Sequence, residues 1–186
     1  MDQPRFLVGQ FLLAMPGIGD PRFEHSVIAI CSHDEEGALG IGIGQALPDA
    51  GLHGMLEQFD IDTQGVPDVP LYQGGPVEPQ RGFVLHSDDW AGQGTIHVAG
   101  RWALSASLDV LRVLGRPAGP SRWLVAPGYA GWGPGQLDEE MLRHGWHVSD
   151  IGFDTLMDRP ASGRWEAAFR ATGIDPRLLS SESGHA

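Results

Sequence analysis

An α+β fold is what this sequence predicts. Short segments rich in β-branched residues dominate its first half, and segments of helical period enter in the second. The two kinds do not alternate as regular βαβ units, which argues against a doubly wound parallel sheet. The length of 186 residues fits one domain of the usual size, roughly 100–200 residues. We expect a single domain over residues 1–174 and a partly disordered tail over 175–186.

Taken in order, residues 6–14 form an apolar stretch and read as a buried strand. Residues 26–33 (SVIAICSH) are β-branched and read as a second strand, with DEEG turning the chain after it. Residues 38–45 (ALGIGIGQ) alternate Gly with Leu or Ile at period two. One face of that strand has no side chains, so a neighbour must approach it closely: an aromatic ring, a helix or a ligand. Leu52, Met55, Leu56 and Phe59 fall at helical spacing. Residues 62–70 read as a loop, and 71–87 as two short strands around a GGP turn. A polar excursion follows over 87–94, then a strand pair turning near Gly100. Ser107 predicts a capped helix closed by Gly115. Residues 121–131 read as a buried strand, 134–145 as a helix, 146–157 as extended chain, and 159–173 as a last helix with Trp165, Ala168 and Phe169 on one stripe.

Composition excludes several functions. The net charge is −12, and all twelve basic residues are arginine, so there is no lysine for Schiff-base chemistry, for a phosphate loop or as a general base. An acidic chain is a poor direct binder of nucleic acid, because phosphate neutralisation by cations supplies most non-specific affinity. A single cysteine, Cys31, cannot form an internal disulfide, and nothing points to secretion. No run reaches the roughly 18 apolar residues of a membrane helix. These features make the cytoplasm the expected compartment.

Residues 128–146 (GYAGWGPGQLDEEMLRHGW) pose a sharper question, since glycines before a helix can cradle phosphate. Their spacing does not match G-x-G-x-x-G, and no lysine follows. The first turn of the helix carries Asp138, Glu139 and Glu140, which favour the helix by about 0.3–1 kcal/mol each against its macrodipole and would repel an anion. The segment reads as a strand-to-helix turn, with no nucleotide or other cofactor bound.

Candidate chemistry is sparse. Cys31 and His33 stand two apart on one predicted strand and should share a face, but no other histidine shows metal-ligand spacing. Neighbouring acids such as Glu35–Glu36, Asp88–Asp89 and Glu139–Glu140 point apart on a regular element and make poor acid/base couples. No G-x-S-x-G, H-E-x-x-H or C-x-x-C occurs. What remains is a candidate ligand or partner cleft of Arg81, His86, His33 and Asp20. Arg81 is there either to bind a ligand carboxylate or to tie the GGP turn to an acid such as Asp20 or Asp109. No catalytic, metal or cofactor-binding residue is assigned.

The segments FLLAMPGIGDPRFEHSVIAICSHDEEGALGIGIGQ, GGPVEPQRGFVLH, SLDVL, GYAGWGPGQLDEEM and the RW pair at 164–165 occur in an order and spacing that resemble the YqgE/AlgH family of bacterial proteins. The resemblance runs from about Phe11 to Trp165. It implies a bifurcated or barrel-like mixed β-sheet flanked by helices. It carries no established catalytic residues. One branch of the family is described as a candidate transcriptional regulator of alginate synthesis. Gly44 and Gln45 stand where the family often has Asn and a basic residue.

Two functions compete on this reading. One is a non-enzymatic regulatory protein acting through a protein partner without gripping DNA. The other is a small-ligand binder or unrecognised hydrolase using the cleft with Arg81 and His86. A further possibility makes the glycine face of residues 38–45 a docking surface.

Overall fold

A computed structural model describes residues 6–16, 24–98, 100–143 and 145–179. Ten strands are present among them: β1 (Phe11–Ala14), β2 (Val27–Asp34), β3 (Gly37–Gly42), β4 (Ala46–Gly51), β5 (Pro70–Tyr72), β6 (Val77–His86), β7 (Ile96–Val98), β8 (Trp102–Ser105), β9 (Trp123–Trp132) and β10 (Trp146–Ser149). Eight form one sheet in the order β10-β1-β2-β3-β9-β6-β8-β7, while β4 and β5 pair separately. Every described pairing is antiparallel. The edge strand β7 curls back towards β2, which gives the sheet its barrel-like form.

The helices are α1 (Leu52–Gln58), α2 (Leu108–Val113), α3 (Gln136–Leu142), α4 (Phe153–Met157) and α5 (Ala161–Arg170), followed by a 3-10 turn at Pro176–Leu179. They divide the core in three. Inside the curl, Phe11, Val27, Cys31, Ile41, Phe83 and Trp102 pack with Phe153 and Leu156 of α4 and Ala168 and Phe169 of α5. Over β6 and β9, Val84 and Val125 meet α1 and α2 through Leu52, Leu56, Val110 and Leu111. On the outer face of β1, β2 and β9, Leu12, Ile28, Ile30 and Trp132 meet Leu137 of α3. Burial of each such side chain contributes about 1.5–3 kcal/mol. Because β1 is covered on both faces, all four of its residues are buried, which explains its unbroken apolar run.

Three local expectations change. The strand expected over residues 6–14 is confined to Phe11–Ala14, because Gly9 takes φ +82 and Gln10 N–H closes a turn onto the Leu7 carbonyl at 3.0 Å. Ser107 precedes α2 but makes no capping bond, and its hydroxyl is buried without a partner. Gly115 closes that helix as expected, at φ +73. Only Trp146–Ser149 of the expected extended stretch is strand; Phe153 and Leu156, three apart and both buried, form α4 instead. The start of α1 is capped from outside: Gly51 has no side chain, so Asp68 Oδ1 accepts the His53 N–H at 3.0 Å.

Candidate functional site: a backbone-walled groove

Gly40, Gly42 and Gly44 leave one face of β3 and its continuation bare. A Cβ at Gly40 would lie 2.5 Å from Ile28 Cγ2, and one at Gly42 would lie 2.4 Å from the Gln73 carbonyl oxygen. What approaches is therefore Ile28 of β2 and the main chain of residues 73–74, not an aromatic ring or a helix. The contact is sealed by Gly42 N–H donating to the Gly74 carbonyl at 2.8 Å and Gln73 N–H to the Gln45 carbonyl at 2.9 Å.

That approach is incomplete. A recess of about 190 Å³ remains, lined by Ser26, Ile28, Gly42, Gly44, Gln45, Gln73, Gly74, Gly75, Pro76 and Ala130. It adjoins a second of about 330 Å³, which shares Ile28, Pro76 and Ala130 and is walled by Trp132, Trp146, Gln136, Glu140 and Arg143. Trp132 Nε1–H donates to Glu140 Oε2 at 2.6 Å, which pins one indole against α3. Together the recesses make a groove with an apolar end between two tryptophans and a neutral polar end of amides, a hydroxyl and main chain. Its chemistry is that of contact. Among its lining residues, Glu140 is the carboxylate and it already accepts a hydrogen bond; no nucleophile–base pair is present.

The sequence-predicted residues are placed elsewhere, and apart. His33 is nearly buried. Its Nδ1 accepts the Leu7 N–H at 2.9 Å, so the proton sits on Nε2, which faces Asp138 Oδ1 at 3.6 Å. Cys31 and His33 do not share a face. The pairing register slips between Ile30 and Ser32, a β-bulge that reverses the alternation. Cys31 consequently packs inside the curl, while His33 pairs with Ala38 of the outer cluster. Burial pushes the Cys31 thiol up to about 12, and the thiol donates to the Ala29 carbonyl at 3.6 Å.

His86 is fully buried. Its Nδ1–H donates to the Ser87 carbonyl at 2.7 Å, and its Nε2 stands 2.8 Å from Ser105 Oγ. Thr95 Oγ1 lies 2.8 Å from the same hydroxyl and accepts the Gly92 N–H at 2.8 Å. Burial holds the His86 pKa below the ordinary histidine value, so Nε2 accepts the Ser105 proton in this relay. A serine–histidine pair thus exists, but with both side chains enclosed. Arg81 is exposed; it pairs with Glu78 at 3.6 Å, donates to the Ala106 carbonyl at 3.4 Å and lies over Phe83. Arg81 and His86 are five residues apart on β6, about 17 Å of extended chain. Asp20 lies outside the described residues.

Sequence reasoning missed Arg164. It counts as one of the charged residues on α5, yet it is buried. Its Nη1 donates to the Ile43 carbonyl at 2.7 Å, its Nε to the Arg159 carbonyl at 3.2 Å, and its guanidinium lies 4.8 Å from the Tyr72 ring centroid. Trp165 beside it donates Nε1–H to the Ala14 carbonyl at 2.9 Å and stacks on His25. The RW pair therefore pins α5 to two strands. The available signal was the pair itself, an arginine directly before the apolar stripe.

The glycine-rich turn before α3 uses its own donors. Gly135 sits at the N-cap with φ 71, and Asp138 and Glu139 occupy the first turn. Gly133 N–H donates to Gln136 Oε1 at 3.0 Å, and Gln136 N–H to the Gly133 carbonyl at 3.1 Å. Among the described residues, no three of His, Cys, Asp and Glu come together as a metal site would need, and no helix is long and apolar enough to cross a membrane.

An eight-stranded antiparallel sheet curled over an apolar core, with helices packed against both of its faces and a side-chain-poor groove beside β3, defines an α+β domain of AlgH-like architecture. The chain belongs to the AlgH-like family, whose sequence profile, DUF179, matches residues 11–177. It is 57% identical over 186 residues to a UPF0301 protein of Rhizorhabdus wittichii, covering 100% of both chains. It is 56% identical to one of Sphingopyxis alaskensis, over 98% of each. The solution structure of the AlgH protein from Pseudomonas aeruginosa superposes with a TM-score of 0.78 at 34% identity, covering 100% of this chain and 99% of that one. The crystal structure of a Corynebacterium diphtheriae protein shares the fold, with a TM-score of 0.75 at 21% identity over 97% and 95% of the two chains.

Proposed function

We propose that this chain is a non-enzymatic interaction protein that acts in the cytoplasm by binding a protein partner in the groove beside β3, and that any effect on transcription runs through that partner. The observation that carries this reading is the groove. Its floor is main chain and small residues, its polar groups are neutral hydrogen-bonding amides and a hydroxyl, and it opens beside two tryptophans. Such a surface suits extended polypeptide, whose own amides need partners once covered. The enclosed His86–Ser105 pair and the separation of Arg81 from His86 give the hydrolase alternative no comparable support. The charge of −12 weighs against direct binding to nucleic acid.

Site-specific photo-crosslinking in cells tests the reading. A crosslinker at position 45 or 130, inside the groove, should yield discrete protein adducts. One at position 94, where the surface is exposed and open, should not. Equal yields from all three positions, or DNA binding tighter than micromolar at about 0.15 M salt, would overturn it.

A further inference from the structure

The charges around the groove narrow the partner, given the partner-binding reading above. Glu24 is exposed beside the neutral end, where Gln45 Nε2 donates to its carbonyl at 3.2 Å. Glu140 lines the apolar end, and Glu139 is exposed one residue before it. Arg143 is the one cation among the described lining residues of either recess. Among the described residues in or beside the two recesses, Glu24, Glu139 and Glu140 thus stand against Arg143, on a chain of net charge −12.

We propose that the groove takes an extended, net-basic peptide segment of the partner. One large apolar side chain sits between Trp132 and Trp146, and flanking arginine or lysine residues reach Glu24 and Glu140. The overall negative field steers such a segment in and repels acidic competitors. Glu140 can serve both roles, because the Trp132 indole engages its Oε2 and a carboxylate has a second acceptor oxygen. Gln45 and Gln73 meet the segment's main chain.

The test pans a display library of random twelve-residue peptides on the intact protein. Selected peptides are then synthesised and titrated while the amide signals of Gly42, Gly44 and Ala130 and the indole signals of Trp132 and Trp146 are followed by NMR. Enriched peptides should carry an aromatic residue or leucine flanked by arginine or lysine, should move those signals, and should weaken as salt rises towards 0.5 M, where screening is strong. The double variant Glu24→Gln/Glu140→Gln should bind them ~3- to 10-fold more weakly, the size of one or two exposed charge pairs. Glutamine at 140 can still accept from Trp132, so this variant keeps its fold, which the unchanged dispersion of its NMR spectrum verifies. Acidic or neutral peptides that bind the groove regardless of salt and of the double variant would overturn the basic-segment proposal while leaving partner binding intact. Groove signals that move only with the protein's own concentration would assign the groove to a second copy and also overturn it. Peptides that bind without moving those signals, or no enrichment at all, would do the same.

Discussion

Arg164 of α5 donates from Nη1 to the main-chain carbonyl of Ile43 at 2.7 Å, across 121 residues of sequence. The bond satisfies a carbonyl at the end of β3, next to Gly44 of the groove. Hydrogen bonds to charged groups contribute about 1.5–3 kcal/mol, and here the flat guanidinium also covers Tyr72. Arg164→Ala should lower stability by about 2–4 kcal/mol in urea titrations. Arg164→Lys should restore only part of this, since an ammonium lacks the planar fork and stacks poorly. Equal stability of the lysine variant and the parent would show that the stacking adds nothing.

His86 and His147 give a pH dependence of defined sign. Burial lowers both pKa values below the ordinary 6.5. The unfolded chain therefore binds more protons than the folded one just below about pH 6.5, so stability rises with pH there. The contribution is complete above that value and is lost as pH falls from it towards the folded pKa values, with a slope of at most about 1.4 kcal/mol per pH unit for each histidine. Depressed carboxylates such as Asp175, held at about 2 chiefly by Arg177, act only below about pH 4. Urea unfolding between pH 7 and 5 isolates the histidines. The His86→Gln variant should flatten that arm, and an unchanged slope would place the titration elsewhere. Ser105→Ala should cost about 1–3 kcal/mol at pH 7, because it strands His86 Nε2 without a donor.

Cys31 should be inert in the native protein. The thiol is buried and pushed up to about 12, so almost no thiolate exists at neutral pH. A disulfide reagent should modify it only at the rate of global opening and rapidly in denaturant. Fast, stoichiometric labelling under native conditions would contradict the burial.

Those residues also show what sequence reading could reach. Residues 27–33 are legible as a strand because β-branched side chains favour the pleated conformation. The expectation that Cys31 and His33 share a face fails, because one bulge residue reverses parity and leaves no mark in composition. The period-two glycines of residues 38–45 pointed to a close approach, and the approach occurs. The identity of the approaching segment, residues 73–74, depends on a pairing between distant strands that local pattern does not encode. Arg164 was hidden for a similar reason. Its burial comes from Tyr72 and Ile43, far away in sequence, while its helix neighbours mark it as one more charge. Gly44 and Gln45, where the family resemblance expects Asn and a basic residue, turn out to line the groove.

Glycines with different geometric reasons should respond with opposite sign to the same substitution. Gly128 takes φ +78, and a Cβ there would lie 2.2 Å from the Gly75 carbonyl oxygen. Gly128→Ala meets both a left-handed backbone, costing about 1–2 kcal/mol, and a main-chain wall that cannot swing aside; the stability loss should exceed about 2 kcal/mol. Gly54 and Gly163 lie inside α1 and α5, and nothing stands within 4 Å of a Cβ at either. Gly54→Ala and Gly163→Ala should each stabilise by about 0.5–1 kcal/mol, by reducing the freedom of the unfolded chain. Chemical denaturation of the three variants separates the causes. Since Gly128 packs against the Gly75 turn that lines the groove, its alanine variant should also shift the amide signals of Gly74 and Ala130, while the two helix variants leave them in place.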